Sequence, residues 1–570
     1  MATRCTPPSA GADGGSGDHF NAKHAARCMT ALSADVAAGG AVDVDAAIML
    51  ARLIAQDAAL SANALIGLPP AAIERLGNAV LALVDGVAHD AHMAAKVFLR
   101  ASDALWIRLP RQASDTVACA IAKSAHWSKH ALISMPQRVL TLTDDLRHAL
   151  AVGAAMTAET AAETLIKVDT AVWSVLQDDD KAALIRSAAS DPPWAAHVVL
   201  RMAIGRWLAL GEAHRMSLVA AIEERPSAAK VAFLMSDDRW NTLTPSMIAI
   251  LARTASRDAA IARAALESVF PHRMNAIAPE DQEALVLAAM GQNPGFALRW
   301  LSRLGVDRLR ALAPRAQCAI GRCIAQRSEC AAEAIVGVSP DRWQGLHNDA
   351  RRLLVDGAAT SPTHSAWTLQ RLHAERRRLL SRDDIETLIR ASARSADAAE
   401  AVLCMYQTYR DVMSPTLTDD LIDALRHTPK RAANVATWAI QTGTALDASI
   451  WERLMETASG DPAAILVVLS HMKSRTVECT SERAWHAIVT AISGSPDHAF
   501  EAVIGMDRRA WASVPSTFRL KIITAACAQV RYADVLLALP REWTPDVIER
   551  IVELRDRARA EEERRGRLTC

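Results

Sequence analysis

Thr244–Leu266, TPSMIAILARTASRDAAIARAAL, holds two amphipathic helices and the turn between them. Thr244 is a residue type that caps helix N-termini, because its hydroxyl accepts a hydrogen bond from an orphan backbone N–H. Pro245 suits the first helical position, where its missing donor costs nothing. Met247, Ile248, Ile250 and Leu251 then recur at helical spacing and predict a buried stripe. Ser256-Arg257-Asp258 is a polar break, and the Ala-rich run after it predicts a second helix whose small side chains let two backbones approach closely. Breaks of the same kind recur at Ser190-Asp191-Pro192, Arg225-Pro226-Ser227, Asn293-Pro294, Gly460-Asp461-Pro462 and Ser495-Pro496-Asp497.

Outward from this stretch the pattern repeats. An apolar residue ends the second helical run at Leu65, Leu99, Leu132, Leu165, Leu200, Leu234, Leu266, Leu301, Val336, Leu369, Leu403, Trp438, Leu469, Ile504 and Leu537, at intervals of 31 to 35 residues. An Ala precedes it by four or five places, as at Ala195, Ala229, Ala297, Ala331, Ala398, Ala433, Ala464 and Ala499. A Trp follows it by six to eight, at Trp106, Trp173, Trp207, Trp240, Trp343, Trp511 and Trp543, so half of the 14 tryptophans share one phase. A hairpin of this size has no core of its own, so the large rings are expected to fill the space between neighbouring repeats.

The chain has 570 residues, too many for one globular core, and is 51% hydrophobic but only 4% aromatic. The period and this composition predict an all-α, right-handed α-solenoid of about 15 tandem helical hairpins. Residues 1–30 are expected to be a disordered N-terminal segment and 31–56 an N-terminal capping helix. The repeat array is expected over 57–553, with a charged C-terminal tail at 554–570.

The length and hairpin form resemble the tetratricopeptide, pentatricopeptide and transcription-activator-like effector repeats, a class about 33–35 residues in period. AVLCMYQTYRDV (401–412) and AFLMSDDRWNTL (232–243) resemble a pentatricopeptide second helix and its exit, and TPSMIAILA the opening of an effector repeat. The resemblance implies stacked helical hairpins and a binding surface. The chain departs from the tetratricopeptide pattern in placing its Trp after the second helix, and from the effector repeats in lacking their Gly-Gly loop.

Sixty-four basic residues balance 64 acidic ones, so no overall field draws the chain to nucleic acid or an anionic membrane. No apolar stretch approaches a membrane span, and the N-terminus lacks a secretory core, so a soluble, cytoplasmic protein without membrane insertion is expected. Ten cysteines without paired spacing predict reduced, packed thiols.

No P-loop, dinucleotide fingerprint, HExxH, nucleophile elbow or spaced CxxC pair occurs, so no catalytic residue, cofactor or metal site is expected. The Gly-rich GADGGSG (11–17) is a linker. His126 and His130 could share one helix face, but no third ligand is in view, and His89 and His92 are a weaker pair. Cys318, Cys323 and Cys330 are spaced as core residues and not as ligand knuckles, while Asp178, Asp179 and Asp180 suit a helix start by complementing its dipole. One asymmetry remains. Between Arg299 and Arg382 there are 15 arginines and 7 acids, including Arg351, Arg352, Arg376, Arg377 and Arg378. The expected function is a non-enzymatic scaffold holding a protein or peptide partner on a concave surface, with a sequence-tolerant RNA or DNA binder using this basic band as the alternative.

Overall fold

The computed structural model of the chain describes residues 17–269, 271–539 and 548–568. Among the described residues every regular element is helical and none is a strand, and the helices follow one another in tandem, each packed on its neighbours. The result is an all-α, solenoid-like fold. It divides into two compact bodies, Met1–Ala289 and Met290–Cys570.

The opening stretch folds as its residues dictate. Thr244 Oγ1 accepts the Met247 N–H at 3.4 Å, and Pro245 heads the helix Pro245–Ala255. The Asp258 carboxylate accepts from Ala260 and Ile261 at 2.8 and 3.0 Å and starts the helix Ala259–Ser268. Asp57, Asp90 and Asp461 cap the equivalent helix elsewhere, each satisfying orphan donors of the first turn.

To the two helices of most hairpins the structure adds a third; the hairpin Pro415–Leu425 and Pro429–Thr442 runs on to Ala448–Ala458 without one. Short helices follow at Asp103–Arg108, Pro136–Thr141, Thr170–Val175, Ile204–Ala209, Asp237–Trp240 and Pro271–Met274 in the N-terminal body. In the C-terminal body they lie at Val306–Ala311, Pro340–Gly345, Ala374–Arg377, Tyr406–Tyr409, Ser474–Glu478 and Arg508–Ser513. Their polar exteriors look like linker in the sequence, yet each but Ala374–Arg377 turns at least one large side chain inward. Trp106, Val139, Trp173, Trp207, Trp240 and Met274 form one buried column, and Leu309, Trp343, Tyr409, Val477 and Trp511 another. The Trp row is therefore core; Trp543 lies outside the described residues.

The second helices carry two more columns. Ala195, Ala229, Ala297, Ala331, Ala398, Ala433, Ala464 and Ala499 are all buried. In three repeats Ser takes the small position and its hydroxyl donates to the last carbonyls of the first helix: Ser61 to Ile54 at 3.0 Å, Ser128 to Ile121 at 3.1 Å and Ser365 to Ala358 at 3.2 Å. The apolar anchors are placed correctly at Leu65, Leu132, Leu165, Leu266, Leu301, Leu369, Leu403 and Leu469. At six others the buried residue is one place earlier, at Phe98, Val199, Phe233, Ile335, Val503 and Leu536, and Leu234 and Ile504 face solvent, while Trp438 is half-buried and Ala439 after it is buried.

At the N-terminal end residues 1–16 of the expected disordered segment lie outside the described residues, and the helix Gly17–Ala37 follows, with Ala22, Ala25, Met29 and Val36 as its buried stripe. Residues 31–56 hold the end of that helix and a separate one, Val44–Ile54, capped by Asp43. The helix Ile548–Leu568 runs across residue 554 without interruption, burying Ile551, Leu554 and Ala558.

Candidate functional site

The residue just before the buried column of the short helices is Arg at 138, 206, 239, 273, 308, 342 and 376. At 138, 206, 273, 342 and 376 the guanidinium reaches the carbonyls that end the second helix of the preceding repeat. Arg206 donates to Leu165, Val168 and Ile166 at 3.2, 2.6 and 2.7 Å. Arg342 donates to Leu304 at 2.8 Å, Arg273 to Met235 at 2.9 Å, and Arg138 to Phe98 and Ala101. These are the orphan acceptors at the negative end of a helix dipole, which a cation stabilises. Burial pushes Arg206 and Arg239 below the usual guanidinium range, a shift that leaves them charged.

This register places two of the five candidate arginines. Arg376 occupies the Arg column and donates to Ile335 at 3.2 Å, with burial again lowering its pKa. Arg377 occupies the Trp column: it donates to Thr408 at 2.8 Å and lies 5.6 Å from the Tyr409 ring centroid. Both belong to the framework. Arg351 lies on the first helix Asn348–Ala358, paired with Asn348, and only Arg352 and Arg378 are exposed. The five are thus spread over a first helix and a short third helix.

A different face of the same basic band forms a groove. It runs over three consecutive second helices, Pro294–Arg303, Ser328–Gly337 and Pro362–Arg371, and offers about 420 Å³ open to solvent. Leu298, Val336 and half-buried Trp367 supply an apolar floor, with Ser302 and Gly337 between them. Exposed Arg299 and Arg303 border it against one acid, Glu333, and Arg371 stands over the Trp367 ring at 5.6 Å. The spacing of Arg299, Glu333 and Trp367 by 34 residues makes them equivalent positions of successive second helices. That common register is the only sequence signal for the groove, and it emerges once the second helices are aligned on their buried residues.

The remaining chemical candidates resolve locally. His126 and His130 rings lie 4.5 Å apart, and His130 is held below the usual imidazole range by burial, then by His126 and Lys129. Asp178–Asp180 open the helix Asp178–Ala189, with fully buried Asp180 accepting from the Gln177 N–H at 3.0 Å and pairing with His148 at 2.5 Å. Cys323, Cys330 and Cys527 are buried thiols, and burial pushes Cys527 up to about 11. Cys119 and Cys479, expected to be packed, are exposed. Cys318 faces another way, toward His347 and Asp349 of the next repeat, and the three ligand atoms lie within 4.8 Å of one another. No local spacing connects these three, which is why the sequence reading missed them.

Among the described residues no helix is long and apolar enough to cross a membrane. Compared with known proteins, the chain matches no protein-family model and no curated sequence.

Proposed function

We propose that the chain is a non-enzymatic interaction protein and that its C-terminal body holds an acidic, apolar-anchored segment of a protein partner in the second-helix groove. The observation that carries this reading is the pairing of an apolar floor, Leu298, Val336 and Trp367, with Arg299, Arg303 and Arg371, opposed by Glu333 alone. An apolar side chain inserted beside Trp367 gains burial, and carboxylates on either side of it meet guanidinium groups able to bind them bidentately. A nucleic-acid backbone would use the arginines but gain nothing from an apolar floor that needs an aliphatic or aromatic anchor.

The test is anisotropy of the full chain with a labelled peptide carrying Leu or Phe between runs of Glu, and with duplex DNA and single-stranded RNA, over a salt series. The reading expects peptide binding that weakens at least tenfold when the anchor becomes Ser, when Trp367 becomes Ala, or when Arg299 and Arg303 become Glu. Nucleic-acid binding that ignores Trp367→Ala but falls with Arg352→Gln and Arg378→Gln would replace it with the alternative.

A further inference from the structure

We propose that Cys318, His347 and Asp349 form a binding site for a thiolate-preferring divalent cation, zinc above all, built across two successive repeats. Cys318 lies on the first helix Pro314–Ala325, while His347 and Asp349 open the first helix of the next repeat, Asn348–Ala358. A thiolate and an imidazole are soft and borderline donors that Mg²⁺ and Ca²⁺ disfavour, and Zn²⁺ accepts both together with a carboxylate. Their ligand atoms already lie within 4.8 Å of one another. Zinc bonds of about 2.0–2.3 Å bring tetrahedral ligands to roughly 3–4 Å of each other. His347 and Asp349 are exposed, and the contacts their side chains make near the trio are the 3.4 Å ones to each other, so small rotations close the remaining gap.

A second observation separates this trio from a chance meeting of surface side chains. The backbone carrying His347 is fixed by buried Gln317, the residue next to Cys318: its Oε1 accepts the His347 N–H at 2.5 Å. The same amide donates through Nε2 to Leu309 and Leu312 at 2.9 and 3.0 Å. One buried side chain therefore sets the separation of the two helices at the point where the ligands meet. Nδ1 of His347 also lies 3.4 Å from an Asp349 carboxylate oxygen, so the two exposed ligands are already associated. The surrounding basic band does not oppose the ion, because the thiolate and the carboxylate together cancel its two charges. On binding, the Cys318 thiol releases its proton to water and forms the metal–sulfur bond. Three protein ligands leave a fourth position for water or a donor from another molecule.

The experiment is titration of the full chain, reduced and metal-free, with Co²⁺ followed by absorption, then displacement by Zn²⁺. The expected result is one equivalent giving a thiolate-to-cobalt charge-transfer band and intense tetrahedral d–d bands, both removed by zinc. Cys318→Ser should abolish the charge-transfer band with helicity unchanged. Asp349→Asn should weaken binding more than tenfold, and Gln317→Leu by roughly 10–100-fold through loss of positioning. Cys119→Ser, at an exposed cysteine elsewhere, should change nothing. Absence of a band at stoichiometric cobalt, or a band that survives Cys318→Ser, would overturn the assignment.

Discussion

The guanidinium of Arg273 lies 5.6 Å from the ring centroid of Trp240, the residue that fills the equivalent column one repeat earlier. Arg239 stands in the same way over Trp207 at 5.3 Å, and Arg138 over Trp106 at 5.7 Å. Each such Arg therefore does two things at a junction between repeats. It covers the aromatic face of the preceding repeat with a delocalised cation, and where its donors reach, it neutralises the carbonyl end of that repeat's second helix. A hairpin stack with no core of its own is thereby tied together by a polar and an aromatic residue adjacent in sequence.

Removing one of these guanidinium groups should loosen one junction more than the whole array. Arg206→Met leaves the carbonyls of Leu165, Ile166 and Val168 without their donor. The expected loss is about 2–3 kcal/mol, the cost of stranding partly buried acceptors. Hydrogen exchange should show it as faster opening of Ala158–Lys167 and Ile204–Ala209, with distant repeats unaffected. Arg206→Lys should recover only part of the loss, because a single ammonium cannot span three carbonyls as the planar fork does. Full recovery by Lys would mean that charge alone is at work.

Close approach of first helices makes a second prediction. A Cβ on Gly357 would stand 2.7 Å from the Ala325 Cβ and 2.8 Å from its Cα, so the helices Pro314–Ala325 and Asn348–Ala358 would have to separate. Ala raises intrinsic helix stability by about 1 kcal/mol over Gly. Overpacking should outweigh this, so Gly357→Ala is expected to destabilise by about 1–3 kcal/mol in urea unfolding. Gly337, with open space around its Cβ position, is the control: Gly337→Ala should be neutral or slightly stabilising.

Acidification should act through His130. Its folded pKa lies below the ordinary 6.5, because burial, His126 and Lys129 all disfavour its charged form. The unfolded chain then binds the proton more readily, so this contribution is fully present above about pH 6.5 and is lost as pH falls toward the lower folded pKa. The groups facing it include Lys129 on its own helix, Glu163 and Lys167 on the next second helix, and the rings of His126 and Trp127. Glu163 acts in the opposite sense, so Glu163→Gln should depress the His130 pKa further. A proton titration of the His130 ring in both chains measures this directly. A His130 pKa at or above 6.5 would remove the argument.

The repeat, its period and its core tryptophans were legible in the sequence because each is a periodic property. Four things were not. The short helices look like linkers, since each is only four to six residues long and all but Ala374–Arg377 bury one or two side chains among polar ones, as Asp237–Trp240 buries Arg239 and Trp240. The Arg column gives no sequence signal, because the acceptors of Arg206 lie 38 to 41 residues away and are backbone atoms, which leave no trace in residue identity. The arginine cluster at 376–378 drew attention as charge, although Arg376 and Arg377 continue the Arg and Trp columns of Arg342 and Trp343. Cys318, His347 and Asp349 come together only when neighbouring repeats stack.

Adjacent apolar residues gave the remaining error, and it supplies a direct test. A helix buries one residue of a neighbouring pair and turns the next about 100° away, so Val503-Ile504 cannot both point inward, and the sequence does not say which does. The structure buries Val503 completely and leaves Ile504 46% exposed. Val503→Ala should therefore cost about 1.5–3 kcal/mol in urea unfolding, from lost burial and the cavity left behind. Ile504→Ala, although it removes the larger side chain, should stay within about 0.5 kcal/mol of the parent, because its atoms are largely in water before and after. Equal costs at the two positions would show that the second helix is rotated from the orientation described. The Ala at 499 would then no longer face the neighbouring backbone, and enlarging it to Leu would be tolerated.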